Sequence, residues 1–356
     1  SMISIILTYR NRDLAIVERC LNSLAGQTNT GFSVVLVDYG SNEVHSKGIQ
    51  NLAARFPFVT LLQYPVAQQL WCKSRAINIA LKRVASECVL VGDVDMLYAP
   101  TFIETLHQIK SPGQVHYFKV GFLSKEESVS GKEFSKYSIK HFSTHEATGI
   151  SLFPRQKLME IGGFDEFYHG WGSEDTDVHV RLKNLGVPVV FFDAEVLVLH
   201  QWHPKTYRSN QSEAPYHTKL EKLNASYLKN TLQLGITNAN THENWGLEPS
   251  KKDYEMLKKP TQALKFSTEQ AQVLSIIASL KNYCGIIDVS VEHVSQVEQI
   301  KQWLKGLLGK KHKTYFSIDE VNDLLLFEII LNFRSAPYTF RKSPTSVAFT
   351  INLQRP

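Results

Sequence analysis

Cysteine is scarce in this sequence, and its few cysteines are scattered. The 356 residues include four of them, at Cys20, Cys72, Cys88 and Cys284, and no two stand in a CxxC spacing. A disulfide framework or a zinc ribbon depends on regularly spaced pairs, so neither class fits. We therefore expect reduced thiols and a cytoplasmic location.

Long apolar runs are also missing. The longest, at 187–199 and 324–331, are interrupted by acidic residues, and neither approaches the ~20 residues that a membrane-spanning helix needs. The apolar segment 2–8 is too short for the core of a signal peptide. The sequence therefore predicts neither a spanning helix nor a secretory leader, and we interpret 2–8 as a first strand.

No strong excess of one charge is present. Lys and Arg number 39 against 34 Asp and Glu, which gives a net charge of +5. This mild basicity is too weak to indicate a nucleic-acid partner, although it suits an anionic small ligand or an acidic membrane surface. With 43% hydrophobic and 21% charged residues, the chain has the composition of an ordinary globular protein of about two domains.

The first half of the chain alternates short β-branched runs with amphipathic segments. This order predicts an α/β fold in which helices flank a mainly parallel, Rossmann-like sheet. Parallel sheets bind ligands at the carboxyl ends of their strands, so the polar residues after each strand are the first candidates for a site. The predicted strands are 3–8, 33–37, 59–63 and 88–91, and the predicted helices are 13–25, 45–55 and 74–85.

The second half divides into a polar stretch and a smaller structured region. Residues 204–250 are rich in Asn, Thr, Lys and His, and we interpret them as a lid or linker that closes a domain over 1–245. Residues 250–356 predict a small accessory α/β domain of unassigned role, in which the capping boxes at 267–270 and 317–320 begin helices. Further helices and strands there are predicted at 271–281, 294–308, 321–332, 285–291 and 346–353.

Two carboxylates end the fourth predicted strand, in the segment VLVGDVDM. Asp93 and Asp95 are one residue apart, and alternation in an extended chain would turn both to one side. Oxygen ligands at a strand end suit Mg²⁺ or Mn²⁺, and such an ion can hold a diphosphate. A polar turn that merely closes the strand is the alternative.

Three acids crowd the start of a predicted helix in WGSEDTD, at Glu174, Asp175 and Asp177. They could simply complement the helix dipole, with Ser173 as the N-cap. A carboxylate kept ionised there could instead act as a general base toward a hydroxyl. Trp171 offers a flat face on which a sugar ring could stack, or else it is an ordinary core aromatic.

A further strand leads into two histidines in LHQWH. A histidine in an apolar strand is commonly a core residue, but His200 emerges at the strand end in a chain that already offers an aspartate pair. It is therefore a candidate third metal ligand, and His203 remains the alternative.

The motifs together resemble GT-A glycosyltransferases of family 2, with particular similarity to the β-1,4-galactosyltransferase and bacterial chondroitin-polymerase type. The resemblance covers about residues 2–210 and follows the family order. The motifs are TYRNR at 8–12, VDYGS at 37–41, KSRAINIA at 73–80, DVDM at 93–96, GGFDE at 162–166, WGSEDTD at 171–177 and LHQWH at 199–203.

The resemblance implies a role for each matching position. On the donor side, Thr8, Arg10 and Arg12 would line the uridine and phosphate pocket, Asp38 would bind the uracil, Arg75 would approach the diphosphate, and Asp93 would lie near the ribose and donor sugar. Asp95 and His200 would bind the metal, Mn²⁺ or Mg²⁺. Asp175 would be the base, and Glu174 and Trp171 would bind the acceptor. Tyr39 departs from the family, which often has a second acid there.

The implied activity is an inverting transfer of a hexose or N-acetylhexosamine, of Gal or GalNAc type, from a UDP-sugar to a glycan or glycolipid hydroxyl. Polysaccharide biosynthesis in a bacterium is the implied setting, with peripheral association at the inner face of the membrane and the oligomeric state left open. A glycan-binding pseudoenzyme is the alternative. A sugar nucleotidyltransferase fits less well, because residues 9–12 lack the glycine of a phosphate loop.

Overall fold

The computed structural model describes residues 2–205 and 214–354, and these fall into two compact units. The first unit contains residues 2–64, 72–205 and 222–248. The second contains residues 249–354 together with the short segments 65–71 and 214–221. No pattern in the sequence indicates that these two short segments belong with the second unit, because each interrupts a run of residues assigned to the first.

The first unit is built on a seven-stranded sheet with the order β10-β6-β9-β4-β1-β2-β3. All neighbouring strands in it are parallel except β9, which runs antiparallel to both β4 and β6. The strands up to residue 200 are β1 Ile3–Tyr9, β2 Phe32–Tyr39, β3 Val59–Tyr64, β4 Cys88–Asp93, β5 Met96–Tyr98, β6 Val115–Phe118, β7 Val120–Phe122, β8 His141–Phe142, β9 Ser151–Pro154, β10 Val189–Phe192 and β11 Val198–His200.

Helices flank this sheet, so the predicted α/β fold with a mainly parallel sheet is confirmed. They are α1 Leu14–Ala25, α2 Glu43–Ala53, α3 Lys73–Arg83, α4 Phe102–Ile109, α5 Lys125–Ser128, α6 Arg155–Glu160, α7 Glu174–Asn184 and α8 Leu220–Gln233. Every residue of β1 is buried, as expected for a central strand covered on both faces. The predicted strands and helices of the first hundred residues agree with the observed ones to within two residues at most ends.

A second, four-stranded sheet lies beside the first in the order β5-β11-β7-β8. β11 pairs antiparallel with β5 and parallel with β7, so that His200 lies opposite Met96 and Phe122. Because β5 begins three residues after the end of β4, this pairing brings the LHQWH segment to the carboxyl end of β4.

The expectation of an irregular polar segment at 204–250 is wrong where α8 lies, and residues 206–213 of that segment are outside the described residues. Two of its asparagine side chains donate hydrogen bonds to backbone carbonyls of the loop 161–171. The buried amide of Asn224 donates to the carbonyls of His169 and Trp171, at 3.0 and 3.1 Å. Asn240 donates to the Gly162 and Phe164 carbonyls, both at 2.8 Å. A polar composition therefore concealed ordered structure, because the polar atoms satisfy buried backbone groups.

The second unit has its own four-stranded sheet, β12-β13-β15-β14, in which β12 and β13 are parallel and the other pairs antiparallel. The predicted capping box at Ser317 is present and begins α12. The box predicted at 267–270 is wrong, since α10 starts after Glu269 and has no side-chain cap. The helices and strands of the second unit are α9 Lys251–Met256, β12 Gln262–Ser267, α10 Gln270–Leu280, β13 Ile286–Glu292, α11 Gln296–Leu307, α12 Ile318–Glu328, β14 Tyr338–Lys342 and β15 Ser346–Asn352.

No helix within 2–205 or 214–354 combines the length and the apolar character needed to cross a bilayer.

A buried arginine in α7 organises the loop that precedes this helix. Arg181 donates to the Asp177 carboxylate at 2.7 Å and to the carbonyls of Ile161 and Gly163 at 2.9 and 2.8 Å. Asp177 also accepts a 3.0 Å hydrogen bond from the Tyr168 hydroxyl. Asp177 therefore supports the GGFDE loop, and its carboxylate is already committed to interior partners.

We predict that Arg181→Leu lowers the free energy of unfolding by about 3–5 kcal/mol, because it leaves the Asp177 carboxylate buried without its counter-charge. Urea unfolding measures the change, and the exposed neighbour Lys183 provides the control Lys183→Leu. A loss below about 1 kcal/mol for Arg181→Leu would show that the loop does not depend on this ion pair.

Candidate active site

The carboxyl ends of β1 and β4 lie side by side, which places the predicted donor residues at one edge of the sheet. Thr8 is opposite Asp93 in the β1–β4 register and is buried. Asp38 is also buried, and its carboxylate accepts hydrogen bonds from the Ser41 amide at 3.1 Å and from Gln63 at 3.2 Å. This edge is where ligands bind in parallel sheets of this kind.

Asp95 lies in the turn between β4 and β5, where three basic side chains surround it. One carboxylate oxygen is 3.0 Å from His203 Nε2, 3.7 Å from His200 Nε2 and 3.6 Å from the Arg12 guanidinium. Burial alone would raise the pKa of Asp95, but the close contact with His203 and the charge of Arg12 hold it well below its usual range. Asp95 is therefore an ionised carboxylate in a largely buried position.

Gln201 fixes the segment that carries the two histidines. Its backbone amide donates to the Asp95 carbonyl at 2.9 Å, and its buried side chain donates to the Ile16 carbonyl at 3.0 Å. The side-chain oxygen accepts from Arg19 at 2.6 Å. With Gln201 turned inward, His200 and His203 both reach Asp95. The alternative ligand His203 is thus brought to the same cluster as His200.

The geometry of His203 fits a cation at this cluster. Its Nδ1 lies 3.1 Å from the Pro204 carbonyl, and since a carbonyl can only accept, Nδ1 carries the proton. In the neutral ring, Nε2 then turns its lone pair toward the Asp95 carboxylate, and two lone pairs cannot face each other at 3.0 Å. Either a second ring proton or a cation must separate them.

Two further observations support a metal site. The other oxygen of Asp95 is buried and has no hydrogen-bond partner among the described residues. Burial lowers the pKa of His200, which favours the neutral ring that a metal requires. Asp95, His200 and His203 place one ligand atom each within 4.8 Å of one another. One carboxylate with two imidazoles suits Mn²⁺ better than Mg²⁺, which prefers all-oxygen ligands.

Lys73, the first residue of α3, forms the centre of a second charged group. Its ammonium is 2.6 Å from Asp93 and 3.8 Å from Glu174. Burial would lower the pKa of Lys73, but the Asp93 and Glu174 carboxylates outweigh burial and raise it. The prediction from strand alternation therefore does not describe the aspartate pair, because Asp93 contacts Lys73 while Asp95, in the turn, contacts the histidines.

The acids of α7 face Asp93 across Gly149. A Cβ atom at Gly149 would lie 3.5 Å from a carboxylate oxygen of Asp175 and 3.7 Å from one of Asp93. The other oxygen of Asp175 accepts from the Thr176 amide at 2.9 Å. Burial, and then the neighbouring charge of Asp175, raise the pKa of Glu174 to about 7. Glu174 can therefore hold a proton near neutral pH.

Trp171 and Ser173 belong to a glycine-rich turn before α7. The Trp171 side chain is 46% exposed, which excludes the core-aromatic alternative, and α8 holds its carbonyl through Asn224 at 3.1 Å. Ser173 occupies the N-cap position in a left-handed conformation and makes no side-chain capping bond. The expected serine cap is therefore absent, while the three acids do lie in the first turn of α7, where they complement the helix dipole.

Arg75 forms an interior ion pair with Glu166, at 3.1 Å, and both residues are buried. Arg10 and Arg12 are only partly buried and follow the end of β1. The roles expected for these three arginines toward a nucleotide stay predictions.

Reasoning from the sequence assigned no role to Lys73, although the residue lies in a quoted motif. A lysine in the first turn of a helix is unfavourable, because its positive charge lies at the positive end of the helix dipole. This unusual placement is the feature of the sequence that could have indicated a role for Lys73. Eight residues separate Lys73 from the end of β3, so inspection of residues directly after strands could not find it.

Comparisons with known protein families match the part of the chain that contains this site. Residues 4–125 match the profile of glycosyl transferase family 2, and residues 130–202 match that of the N-terminal domain of galactosyltransferase. The two matches follow each other along the chain and include most of the motifs above. The resemblance to family 2 glycosyltransferases is therefore confirmed for this part of the chain.

Relatives of known name are distant. Chondroitin sulfate synthase 3 of Mus musculus is 25% identical over 208 residues, which is 55% of this chain and 23% of that protein. Validoxylamine A glucosyltransferase of Streptomyces hygroscopicus subsp. limoneus is 23% identical over 251 residues, covering 59% and 54% of the two chains. A β-1,4-N-acetylglucosaminyltransferase of Lymnaea stagnalis is 23% identical over 189 residues, covering 52% and 31%. The matched region spans less than two thirds of each of these relatives.

Two solved structures show a partial likeness. The mannosyltransferase PcManGT from Pyrobaculum calidifontis, in complex with GDP-Man and Mn²⁺, has a TM-score of 0.42 at 18% identity, covering 58% of either chain. GalNAc-T7 with UDP, GalNAc and Mn²⁺ has a TM-score of 0.44 at 13% identity, covering 57% of this chain and 44% of that one.

The raised pKa of Glu174 predicts a pH-dependent stability difference. Its folded pKa of about 7 lies above the ordinary 4.5, so its stabilising contribution is present below about pH 4.5 and is lost as the pH rises through about 7. Glu174→Gln cannot ionise. Relative to the wild type, this variant should gain roughly 1–3 kcal/mol between pH 5 and pH 8.

Urea unfolding in EDTA at the two pH values measures this difference, with the exposed Glu146→Gln as the control. An equal difference between Glu174→Gln and wild type at both pH values would contradict the assigned shift.

Proposed function

We propose that the first unit is a metal-dependent inverting glycosyltransferase that moves a hexose or N-acetylhexosamine, of Gal or GalNAc type, from a UDP-sugar to a hydroxyl of a glycan or glycolipid. One observation carries the proposal. A cation cluster of Asp95, His200 and His203 and an acid pair, Glu174 and Asp175, both adjoin the carboxyl end of β4. The family 2 match and the named relatives support the class of reaction.

The cation cluster would hold Mn²⁺ through one Asp95 oxygen and the Nε2 atoms of His200 and His203. When bound, the ion would neutralise the charge that develops on the departing diphosphate. Gln201 positions all three ligands, since it ties the histidine segment to the Asp95 turn. Its side chain, which bonds the Ile16 carbonyl and Arg19, anchors this segment to α1.

Asp175 is the general base in this proposal. One of its oxygens accepts from the Thr176 amide, and the other lies near Gly149 on the side of Asp93, where we place the acceptor hydroxyl. There it takes the proton from the acceptor hydroxyl while that oxygen bonds to the anomeric carbon. The bond from this carbon to the diphosphate oxygen breaks with its electron pair, and UDP leaves. Attack from the face opposite the leaving group inverts the anomeric configuration.

Glu174 and Lys73 set the electrostatics around this base. Lys73 offsets the negative charges of Asp93 and Glu174 beside the base. Glu174, with a pKa of about 7, can hold a proton at neutral pH and donate it in a hydrogen bond to the acceptor, which stacks on exposed Trp171.

The donor nucleotide would lie over the ends of β1 and β2. In this proposal Asp38 would bind the uracil, Thr8 would line the floor of the pocket, and Asp93 would lie near the ribose and donor sugar. Because Arg75 is committed to Glu166, phosphate contact falls mainly to Arg10 and Arg12, while Arg75 positions the loop that contains Glu166.

We predict that Asp95→Ala, His200→Ala and His203→Ala each weaken Mn²⁺-dependent UDP binding by roughly 10- to 100-fold, because each removes one ligand. Calorimetric titration of UDP with and without Mn²⁺ measures the loss. His141→Ala is the matched control, since His141 stacks on Phe122 at 4.6 Å next to His200 but lies outside the cluster. Unchanged affinity in all three variants would exclude the site.

Transfer itself is tested by UDP release. Wild-type protein with Mn²⁺ and UDP-Gal, UDP-GalNAc, UDP-Glc or UDP-GlcNAc should release UDP only when a glycan acceptor is present. Asp175→Asn should keep donor affinity and lose transfer by ~10² to 10⁴, the typical effect of removing a general base. A near wild-type rate would eliminate Asp175 as the base. Tight UDP binding without transfer to any acceptor would favour a binding protein.

A further inference from the structure

Helix α11 of the second unit has a reversed amphipathic character. Within this fully described helix, Gln302 is the only buried residue. Gln302 donates to Glu298 at 2.7 Å and accepts from the Lys313 amide at 3.0 Å. The polar side of α11 therefore packs against the unit, opposite to what a surface helix of a globular protein normally does.

The apolar side of α11 points to solvent. At about 100° per residue, its apolar positions cover one arc of roughly 140°. The exposed fractions include 78% for Val297, 62% for Trp303 and 65% for Leu307. We call this surface the α11 face, and it consists of Val297, Ile300, Trp303, Leu304, Leu307 and Leu308. A continuous exposed apolar surface of this kind marks an interaction site.

Basic residues accompany the α11 face. Residues 296–313 contain five lysines and one acid, Glu298. Lys301 pairs with Glu298, and Lys313 pairs with Glu269 at 2.9 Å. Lys310 and Lys311 are exposed and follow shortly after the end of the helix. The face therefore carries positive charge at its border, and its partner should be both apolar and negatively charged.

We propose that the α11 face binds the surface of an anionic lipid bilayer, with the helix lying in the plane of the interface. Tryptophan with branched apolar residues on one side and lysines at the border is the pattern of an interfacial helix. A second copy of this chain fits less well, because a symmetric contact would place the two lysine borders against each other. This proposal is independent of the proposed transferase activity.

Vesicle co-sedimentation tests the proposal with the full chain. Vesicles of phosphatidylcholine with 30% phosphatidylglycerol should bind the protein, and pure phosphatidylcholine should bind it much more weakly. A triple variant of the apolar residues should reduce binding by roughly tenfold or more; it combines Ile300→Ser, Trp303→Ser and Leu307→Ser. A triple variant of the lysines should reduce binding by roughly 100-fold at low salt; it combines Lys305→Gln, Lys310→Gln and Lys311→Gln. The changed apolar residues are all exposed, so the fold should persist, and thermal melting checks this.

Matched controls separate the α11 face from general effects. Leu232→Ser/Leu234→Ser removes two apolar side chains of similar exposure elsewhere, and Lys251→Gln/Lys252→Gln/Lys259→Gln removes the same charge from the second unit. Both should bind vesicles like the wild type. The proposal is overturned if anionic vesicles do not bind, or if these controls lose binding as much as the face variants. A concentration-dependent dimer that only the face variants abolish, without vesicle binding, would instead assign the face to a second copy.

Discussion

The site depends on the burial of one negative charge, the Asp95 carboxylate. An ionised carboxylate taken out of water is costly unless cations or hydrogen-bond donors surround it. The fold supplies them from distant parts of the chain: Arg12 after β1, and His200 and His203 at the end of β11. The pairing of β11 with β5 makes this possible, because it brings the two histidines next to Asp95. Gln201 and the course of the chain after His200 then hold His203 beside the same carboxylate.

Asp93, two residues before Asp95, belongs to a second group of charged side chains. Asp93, Glu174 and Asp175 converge near Lys73, which is the cation at their centre. Burial, and then the charge of Asp175, raise the pKa of Glu174, and one oxygen of Asp175 lies near Gly149 on the side of Asp93. In the proposed function, the cluster around Asp95 would hold the cation, and the group around Lys73 would handle the proton.

The parallel strands were predictable because buried strands need β-branched runs, which the sequence shows directly, and the Ser317 capping box was predictable because its hydrogen bonds are local. The sequence does not show which residues from distant parts of the chain come together at the site. His203 remained an alternative since no local pattern shows that Gln201 turns inward, and Lys73 was missed because a long loop separates it from its strand. Helix α8 was interpreted as part of a linker because its polar residues suggested exposure, whereas the buried side chain of Asn224 donates hydrogen bonds to backbone carbonyls. The box at 267–270 failed because Ser267 ends a strand.

The central claim is that Asp95, His200 and His203 form one metal site. Anomalous diffraction at the manganese edge, from crystals soaked with Mn²⁺ and UDP, tests it directly. The account predicts a single peak roughly 2.0–2.3 Å from an Asp95 oxygen and from Nε2 of both histidines. A peak coordinated by Asp93 and the α7 acids, or no peak while UDP is bound, would contradict it.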